Sequence, residues 1–535
     1  MADEANILTK ILIVSVWGSP KSWQLTRYVV ELDLEIKELF KFTNLSEKEI
    51  KPLYQATKDY KSTLGALMEC YKNASFLLLC SSTLADLPKK NYKEVVNEAK
   101  VKIEENLKDP NYCIDSSRVR IAILPGIGKF GDKVFKGTVN SYRLAAFLET
   151  LKHLKEINPE ILILDLSHGV NYMPVYTRLA IEDAIISYLV LNKADNNLNT
   201  GSSDITSPIS TKNTIGKEEK IRLLVYNSEP APLHSKEGSS TTNITTINIV
   251  ENTSIMYNFA IQTLYTKVAS LGITQPVILK STFGEKPPEL EQWKNLWINS
   301  VKFAKAAIYG LVLPLAEYME RLTIVDIEKM ENELRKFAYL DETEEFVRIK
   351  NKEVNYLFSP NINLGLIITI AKLAKRLREE KGSLIYEKGF NLEYLKRLGE
   401  VILYGPGEKI ASREIGQLEQ RVKLARSTNQ DTKKWLSYSS YIQFGEQNIG
   451  PLTKLYEKRD KFKEMERSIL ENIKPLSEYE TSDRKTTQLD DRNFVAHAGF
   501  ERHVTLILDK GYEIFVKYDE DMKEKIENTL SNLLR

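Results

Sequence analysis

Two short runs carry residue types that do chemistry. Near the C-terminal end, Arg492-Asn493-Phe494-Val495-Ala496-His497 sets a guanidinium and an imidazole in an R-x-x-x-x-H spacing. A histidine can take a proton from a hydroxyl and return it to a leaving group. A guanidinium can hold a phosphate and stabilise its charge in the transition state. The pair suits RNA cleavage in which the substrate supplies its own 2′-hydroxyl as nucleophile. Taken alone the spacing is common, and a solvated arginine beside a structural histidine explains it as well. Phe494 and Val495 read as core contacts.

The second run is Asp165-Leu166-Ser167-His168-Gly169-Val170-Asn171-Tyr172-Met173-Pro174, which follows the apolar stretch Ile161 to Leu164. A buried strand that runs into small and polar residues is where open α/β sheets bind ligands. Gly169 permits close backbone approach, and Ser167, His168 and Asn171 supply donors and acceptors. A plain strand-to-helix turn with capping side chains is the other reading. Two more loops follow strands. Trp17-Gly18-Ser19-Pro20 sits at the same sheet edge if the strands are parallel. Pro125-Gly126-Ile127-Gly128-Lys129 has a G-x-G without the third glycine of a dinucleotide fingerprint. No P-loop lysine motif occurs, so ATP hydrolysis is not indicated. Together the loops make Gly18, Ser19, Pro20, Gly126, Gly128, Ser167, His168, Gly169 and Asn171 candidate ligand contacts. His503, beside Arg502, reads as the polar start of a hairpin, and Arg484 and Lys485 as charged surface.

The elements that must position these residues follow from periodicity. Lys10 to Val16, Phe76 to Cys80, Val119 to Leu124, Ile161 to Leu164 and Ile221 to Tyr226 are short apolar runs and read as buried strands. Leu144, Phe147, Leu148, Leu151 and Leu154 form one helix face. Strands separated by helices imply a parallel sheet with crossovers. Lys193 to Lys217 and His234 to Thr245 lack either periodicity and read as loops, with Thr246 to Val250 resuming as a strand. From Ser254 onward the chain is mostly helical. Ile255 to Leu271, Ile327 to Phe337, Leu364 to Arg378, Leu392 to Leu403, Gln417 to Arg426 and Leu455 to Ile473 are the helix candidates. Val504 to Leu508 and Tyr512 to Tyr518 flank Asp509-Lys510-Gly511 as a hairpin. Asp341 to Pro360 reads as a strand pair inserted in the helical half. The fold class is α/β plus α: a Rossmann-like domain, then a mostly helical domain with a small β-hairpin.

Composition narrows the partners. The 535 residues hold 75 Lys and Arg against 73 Asp and Glu, so any nucleic-acid site is a local patch rather than a global field. Cys70, Cys80 and Cys113 match no zinc spacing and cannot close a disulfide framework, which suits a reducing cytoplasm. No metal site is expected. The most apolar helix candidate, Leu364 to Ala374, is shorter than the ~20 residues of a membrane span, and the acidic N-terminus is unlike a signal peptide.

The run DLSHGVNYMP closely resembles the signature of the CRISPR-associated DxTHG proteins, with Ser167 keeping the hydroxyl of the usual Thr. Arg492, Asn493 and His497 fit the HEPN motif of the same family, in the expected order along the chain. The resemblance implies a CARF–HEPN ribonuclease of type III CRISPR systems, with a CARF sensor, a connector and a HEPN domain. It places the sensor in residues 1–250, the connector in 251–300 and the HEPN domain in 301–535, with the insertion near 341–360. It implies no cofactor but an activator, a cyclic oligoadenylate, the four-membered cyclic tetra-adenylate first. Gly18, Ser19 and Pro20 match the loop after the first strand, and Ser167, His168, Gly169 and Asn171 the signature loop. Gly126 and Gly128 are further expected contacts. The resemblance also implies a homodimer or higher homo-oligomer and single-stranded RNA as substrate. Arg492 and His497 of two protomers would make one composite site, cutting without metal. A ligand-responsive transcription factor that binds DNA is the rival reading, though no basic recognition helix is evident.

Overall fold

The computed structural model describes residues 10–20, 23–33, 53–112, 114–170, 172–199, 219–229, 243–272, 290–339, 347–357, 360–379, 385–403, 405–428, 430, 432–456, 474–479 and 491–533. They form two compact units. The first comprises 1–260, 276–293 and 327–369; the second comprises 261–275, 294–326 and 370–535.

The first unit is built on strand β1 (Ile11–Trp17), all of whose residues are buried. Parallel to it run β4 (Ser75–Ser81) on one side and β8 (Ile161–His168) on the other. Outside these lie β5 (Val119–Leu124), parallel to β4, and β9 (Lys220–Ser228), parallel to β8. Three further strands extend the β9 edge: β10 (Asn243–Met256), β2 (Thr26–Leu32) and β3 (Leu53–Tyr60). The full order is β3-β2-β10-β9-β8-β1-β4-β5. After β2 and β3 at the far edge, the chain adds β4 beside β1 and β5 outside it, then crosses to the opposite side of β1 for β8. That reversal opens a crevice at the carboxyl ends of β1 and its neighbours, where open sheets bind ligands.

The apolar runs appear as strands, each within a few residues of its expected bounds. Three expectations differ. The helix Tyr172–Asn199 continues through Lys193, where a loop was expected. Its buried Ile181, Ile185, Leu189 and Val190 anchor it well enough to carry the polar end along. Ile255 belongs to β10 rather than to the helix Tyr257–Ala269, because β10 pairs with β9 through Met256. Asn243 to Thr245, expected as the end of a loop, opens β10, where these residues pair with Thr26 to Tyr28 of β2. The rest of the expected loops, residues 200–217 and 234–242, lies outside the described residues, as does 457–473 of the helix expected from Leu455.

A second sheet of this unit has the order β11-β12-β7-β6. It joins the hairpin β6 (Ile127–Phe130) and β7 (Lys133–Lys136) to β11 (Val347–Lys350) and β12 (Glu353–Tyr356). The strand pair read within Asp341 to Pro360 thus occurs at 347–356, with 341–346 outside the described residues. Its partner is a strand more than two hundred residues earlier: Glu353 aligns with Val134 and Val354 with Phe135. Phe135, Val347 and Val354 form a buried cluster with Tyr92, Val95 and Ala99 of the helix Tyr92–Leu107.

The second unit is mainly helical. Its helices include Val312–Thr323, Leu392–Ile402 and Pro406–Ser427. Asn391 caps one, its side chain accepting from the backbone N–H groups of Glu393 and Tyr394. Pro406 opens another at a position where its missing N–H costs nothing. A five-stranded sheet of order β13-β14-β17-β16-β15 accompanies them. Its strands are β13 (Ile385–Tyr386), β14 (Gly389–Asn391), β15 (Leu436–Ser437), β16 (Thr505–Asp509) and β17 (Ile514–Tyr518). β16 and β17 are the hairpin expected from the sequence. Among the described residues no helix is long and apolar enough to cross a membrane.

Candidate functional sites in the sensor and nuclease units

The signature loop is fixed from below by Asp165. This carboxylate is fully buried, yet it accepts from the hydroxyls of Ser15 and Thr63, each at 2.7 Å, and from the Ser167 N–H at 3.1 Å. Three donors offset the loss of water around a buried anion. His168 Nε2 accepts from the Thr63 N–H at 3.1 Å, and its ring stacks on Trp23 at 4.1 Å. Burial pushes the imidazole down to about 4, against the pull of Asp165, so the ring is neutral with its proton on Nδ1. Ser167 Oγ accepts from the Ser228 N–H at 3.0 Å. The side chains of Ser167 and His168 are therefore spent on holding the loop in place. Ser15, Thr63 and Trp23, which do this with them, carry no motif in the sequence.

The first loop meets the signature loop directly. The Gly18 N–H donates to the His168 carbonyl at 2.9 Å. A Cβ at Gly18 would stand 2.2 Å from Val170 Cγ2, and one at Gly169 would stand 2.7 Å from Pro174 Cγ. Gly18, Ser19, Pro20 and Val170 line a cavity of about 250 Å³ together with Lys102 and Lys133. Both ammoniums pair with Asp86, at 2.5 and 3.3 Å, and the Lys102 hydrogen bond leads in holding that carboxyl down to about 2. The buried Tyr172 hydroxyl, in the same lining, sits near Ser81 and the Ile127 backbone but forms no well-aligned hydrogen bond among the described residues.

Gly126 and Gly128 are placed differently. The Gly126 N–H donates to Ser82 Oγ at 2.9 Å and to the Tyr356 hydroxyl at 3.1 Å. Gly128 lies in β6 with φ of 111°, where a Cβ would make an ordinary contact with Phe130 Cε2 at 3.6 Å. Neither is among the residues that line the cavity. Asn171 lies outside the described residues, as do Cys113, Arg484 and Lys485. Lys102 and Lys133 escape a reading of the sequence because they sit on a helix and a hairpin that only the fold brings to the crevice.

In the second unit, the short helix Asp491–Ala496 presents the R-x-x-x-x-H residues. Phe494 is fully buried and stacks on Tyr518, while Val495 is half-buried. Arg492, Asn493 and His497 are exposed. Ala498 and Gly499 take φ of 52° and 85° and end the helix, and the Gly499 N–H donates to the Phe494 carbonyl. The Tyr518 hydroxyl donates to the Gly499 carbonyl at 2.8 Å. A Cβ at 499 would approach Pro314 Cδ to 2.6 Å, so both conformation and space require glycine here.

His497 Nδ1 lies 3.0 Å from Glu414 Oε2. Glu414 is only 2% exposed, and its other oxygen accepts from Arg413 Nε and Nη2 at 3.2 and 3.0 Å. With the Nδ1 proton donated to this carboxylate, Nε2 is the lone-pair nitrogen. Glu414 is the main residue that the motif omits. The one trace of it in the sequence is a carboxylate among Ala411, Ile415 and Leu418 on the apolar face of a helix, where all four are buried. His503 accepts from Arg502 Nε at the start of the hairpin, away from any pairing with His497. Among the described residues, no group of three or more His, Cys, Asp or Glu is arranged to hold a metal ion.

Residues 12–230 match the family model for the CARF domain of the CRISPR system endoribonuclease Csx1. Residues 405–520 match the HEPN domain of the same endoribonuclease. A Rossmann-like sensor followed by a helical nuclease with an arginine–histidine motif is thus the class that fold and site define. The chain belongs to the CRISPR-associated CARF–HEPN ribonucleases and is an endoribonuclease. The HEPN match leaves the DNA-binding reading of the C-terminal half without support. A relative, the CRISPR system endoribonuclease Csx1 of Methanocaldococcus jannaschii, is 24% identical, the alignment covering 98% of this chain and 90% of that protein. Among solved structures, Enterococcus italicus Csm6 bound to cyclic hexa-2′-fluoro-hexa-dAMP aligns with 93% of this chain and 100% of its own. The identity is 9% and the TM-score 0.21, too low to support an argument.

Proposed function

We propose that this chain is a cyclic-oligoadenylate-activated, metal-independent endonuclease for single-stranded RNA in type III CRISPR defence. It acts in the cytoplasm as a homodimer or larger homo-oligomer. The sensor occupies residues 1–250, the connector 251–300 and the nuclease 301–535, and the insertion near 341–360 adds its strands to the sensor-side sheet. The activator is cyclic tetra-adenylate. The observation that carries the sensing half is the cavity lined by the Gly18–Pro20 loop and the two lysines. Backbone from glycine-bearing loops, ammonium groups and a buried hydroxyl in search of a partner suit an anionic ring of phosphates and bases. Lys102 and Lys133 exchange Asp86 for phosphate oxygens. Gly18, Ser19, Pro20, Ser167, His168, Gly169 and Asn171 form or support the site, with Gly126 and Gly128 at its margin. A ring with two-fold symmetry fits a two-fold dimer, since each protomer offers the same loops.

In the nuclease, the Glu414 carboxylate orients His497 so that Nε2 takes the proton of the RNA 2′-hydroxyl. The 2′-oxygen attacks the adjacent phosphorus and the 5′-oxygen leaves, taking up a proton. A 2′,3′-cyclic phosphate and a 5′-hydroxyl result. Arg492 holds the non-bridging oxygens and Asn493 helps orient the strand, with two protomers completing one site. Ligand binding biases the nuclease pair toward this arrangement, a coupling between distinct sites.

The test is cleavage of a fluorescent single-stranded RNA in EDTA, with and without cyclic tetra-adenylate, by the native chain and by His497→Ala. Ring-dependent cleavage that disappears in the variant is expected. A variant that cuts as well as the native chain would overturn the site, and indifference to both four- and six-membered rings would overturn the activator.

A further inference from the structure

The five-stranded sheet of the second unit has two faces. On one, Tyr518 bonds to the backbone beside His497. The other is the face of Lys517, along which the β16–β17 turn, with Lys510 and Tyr512, and the β13–β14 turn, Glu387–Lys388, stand at opposite ends of β17. Glu387 and Lys388 have φ of 44° and 64°. Two-residue hairpin turns of this kind usually place Asn and Gly there. Keeping a carboxylate and an ammonium in strained backbone points to a use for their side chains.

Those side chains build a surface. Glu387 Oε2 accepts from Trp435 Nε1 at 2.9 Å, and the Glu387 carbonyl accepts from Lys517 Nζ at 3.4 Å. Lys517 Nζ also stands 4.3 Å from the centre of the Trp435 ring. Gly389 lets the indole lie against the backbone, since a Cβ would meet Trp435 Cη2 at 2.4 Å. Lys510 Nζ lies over the Tyr386 ring. Lys433 and Lys434 precede Trp435 and are exposed. Tyr512 is fully exposed at the turn, so packing gives no reason for an aromatic residue there.

Rings interleaved with ammonium groups are what single-stranded nucleic acid binds, its bases stacking on aromatic faces and its phosphates meeting lysines. Lysines outnumber the neighbouring carboxylates of Glu387, Glu513 and Glu520, which fits a polyanion. We propose that this sheet face is a second RNA contact, a platform that holds the substrate strand on the side of the sheet opposite Tyr518. The proposal rests on the endoribonuclease assignment and not on the identity of the activator. Lys517 and Tyr518 point to opposite faces, so a strand must round the sheet edge to reach His497. Only an RNA of several nucleotides can touch both places.

The test measures binding of a labelled 20-nucleotide single-stranded RNA to the full chain carrying His497→Ala, with and without Tyr512→Ala, Lys510→Ala or Lys517→Ala. Tyr512→Ala is expected to weaken binding roughly five- to a hundred-fold, the range for one lost base stack. Each lysine change is expected to lower the slope of log K against log salt by about 0.7. With His497 intact, the same changes should raise KM for the 20-mer, leave kcat, and leave cleavage of a trinucleotide unaltered. Native affinity and salt slope in both Tyr512→Ala and Lys510→Ala would overturn the platform. So would an equal loss on the trinucleotide, which would place these residues at the scissile site or in the fold. A native chain that cuts no RNA would instead strike at the nuclease assignment, which the cleavage arm reads separately.

Discussion

At the residue scale, the nuclease site depends on a carboxylate that tells His497 which nitrogen to present. Glu414→Gln keeps the size and a polar contact at 3.0 Å from Nδ1 but no longer fixes the proton on that nitrogen. Its kcat is expected to fall on the order of 10²- to 10⁴-fold with KM little changed, as steady-state kinetics on a short RNA would show. Arg413 is mostly exposed, so Arg413→Ala should cost far less. In the sensor, His168 gives a pH dependence. Its folded value of about 4 lies below the ordinary 6.5 because burial disfavours the charged ring. The unfolded chain therefore takes up a proton before the native one does. Stability from this residue is complete above pH 6.5 and is lost as pH falls toward 4. Urea midpoints measured across that window should fall with pH, and less so in His168→Gln. The arginine–histidine pair was legible because its spacing is local. Glu414 was not, because it stands 83 positions from its partner and only packing joins them.

At the scale of elements, what could be read was what is buried on both faces. β1, β4 and β8 are continuous apolar runs and stood out. β2 alternates buried with more exposed positions and carries polar residues that disguise it, so of the extension beyond β9 only Thr246 to Val250 of β10 was legible as a strand. The same holds for the pairing of β12 with β7, since a four-residue strand contains too little pattern to name its neighbour. That pairing places the Tyr356 hydroxyl at 3.1 Å from both the Gly126 N–H and Ser82 Oγ, and 3.3 Å from the Tyr92 hydroxyl. Tyr356→Phe leaves these buried groups one partner short and is expected to cost about 1–3 kcal/mol of stability, measurable as a lower urea midpoint. Gly18→Ala tests the joint between β1 and β8. Its methyl would collide with Val170, so the affinity for cyclic tetra-adenylate should drop by at least tenfold in a calorimetric titration.

At the scale of the whole molecule, ligand and assembly are linked to stability by mass action. A ring that binds only the native state, present at a hundred times its Kd, should add about 2.7 kcal/mol and raise Tm accordingly. Sedimentation of the full chain should give a dimer or a larger species, and a monomer at micromolar concentration would remove the composite nuclease site. Both halves of the design were legible because two independent motifs stand in order on strands and helices of the right kind. The units themselves were not, because each is assembled from separated stretches of chain.

The strand pair at 347–356 has a consequence for how such a chain can be taken apart or recombined. It sits between the stretches that match the two family domains, 12–230 and 405–520, yet it completes a sheet of the first unit. A sensor fragment ending near residue 260 would expose the edge of β7 and uncover Phe135, a sticky strand that invites self-association. Grafting this sensor onto a foreign effector at the apparent junction would transplant an unfinished part. Modularity in this chain follows its tertiary pairing, so a working exchange must carry residues 327–369 along with the sensor.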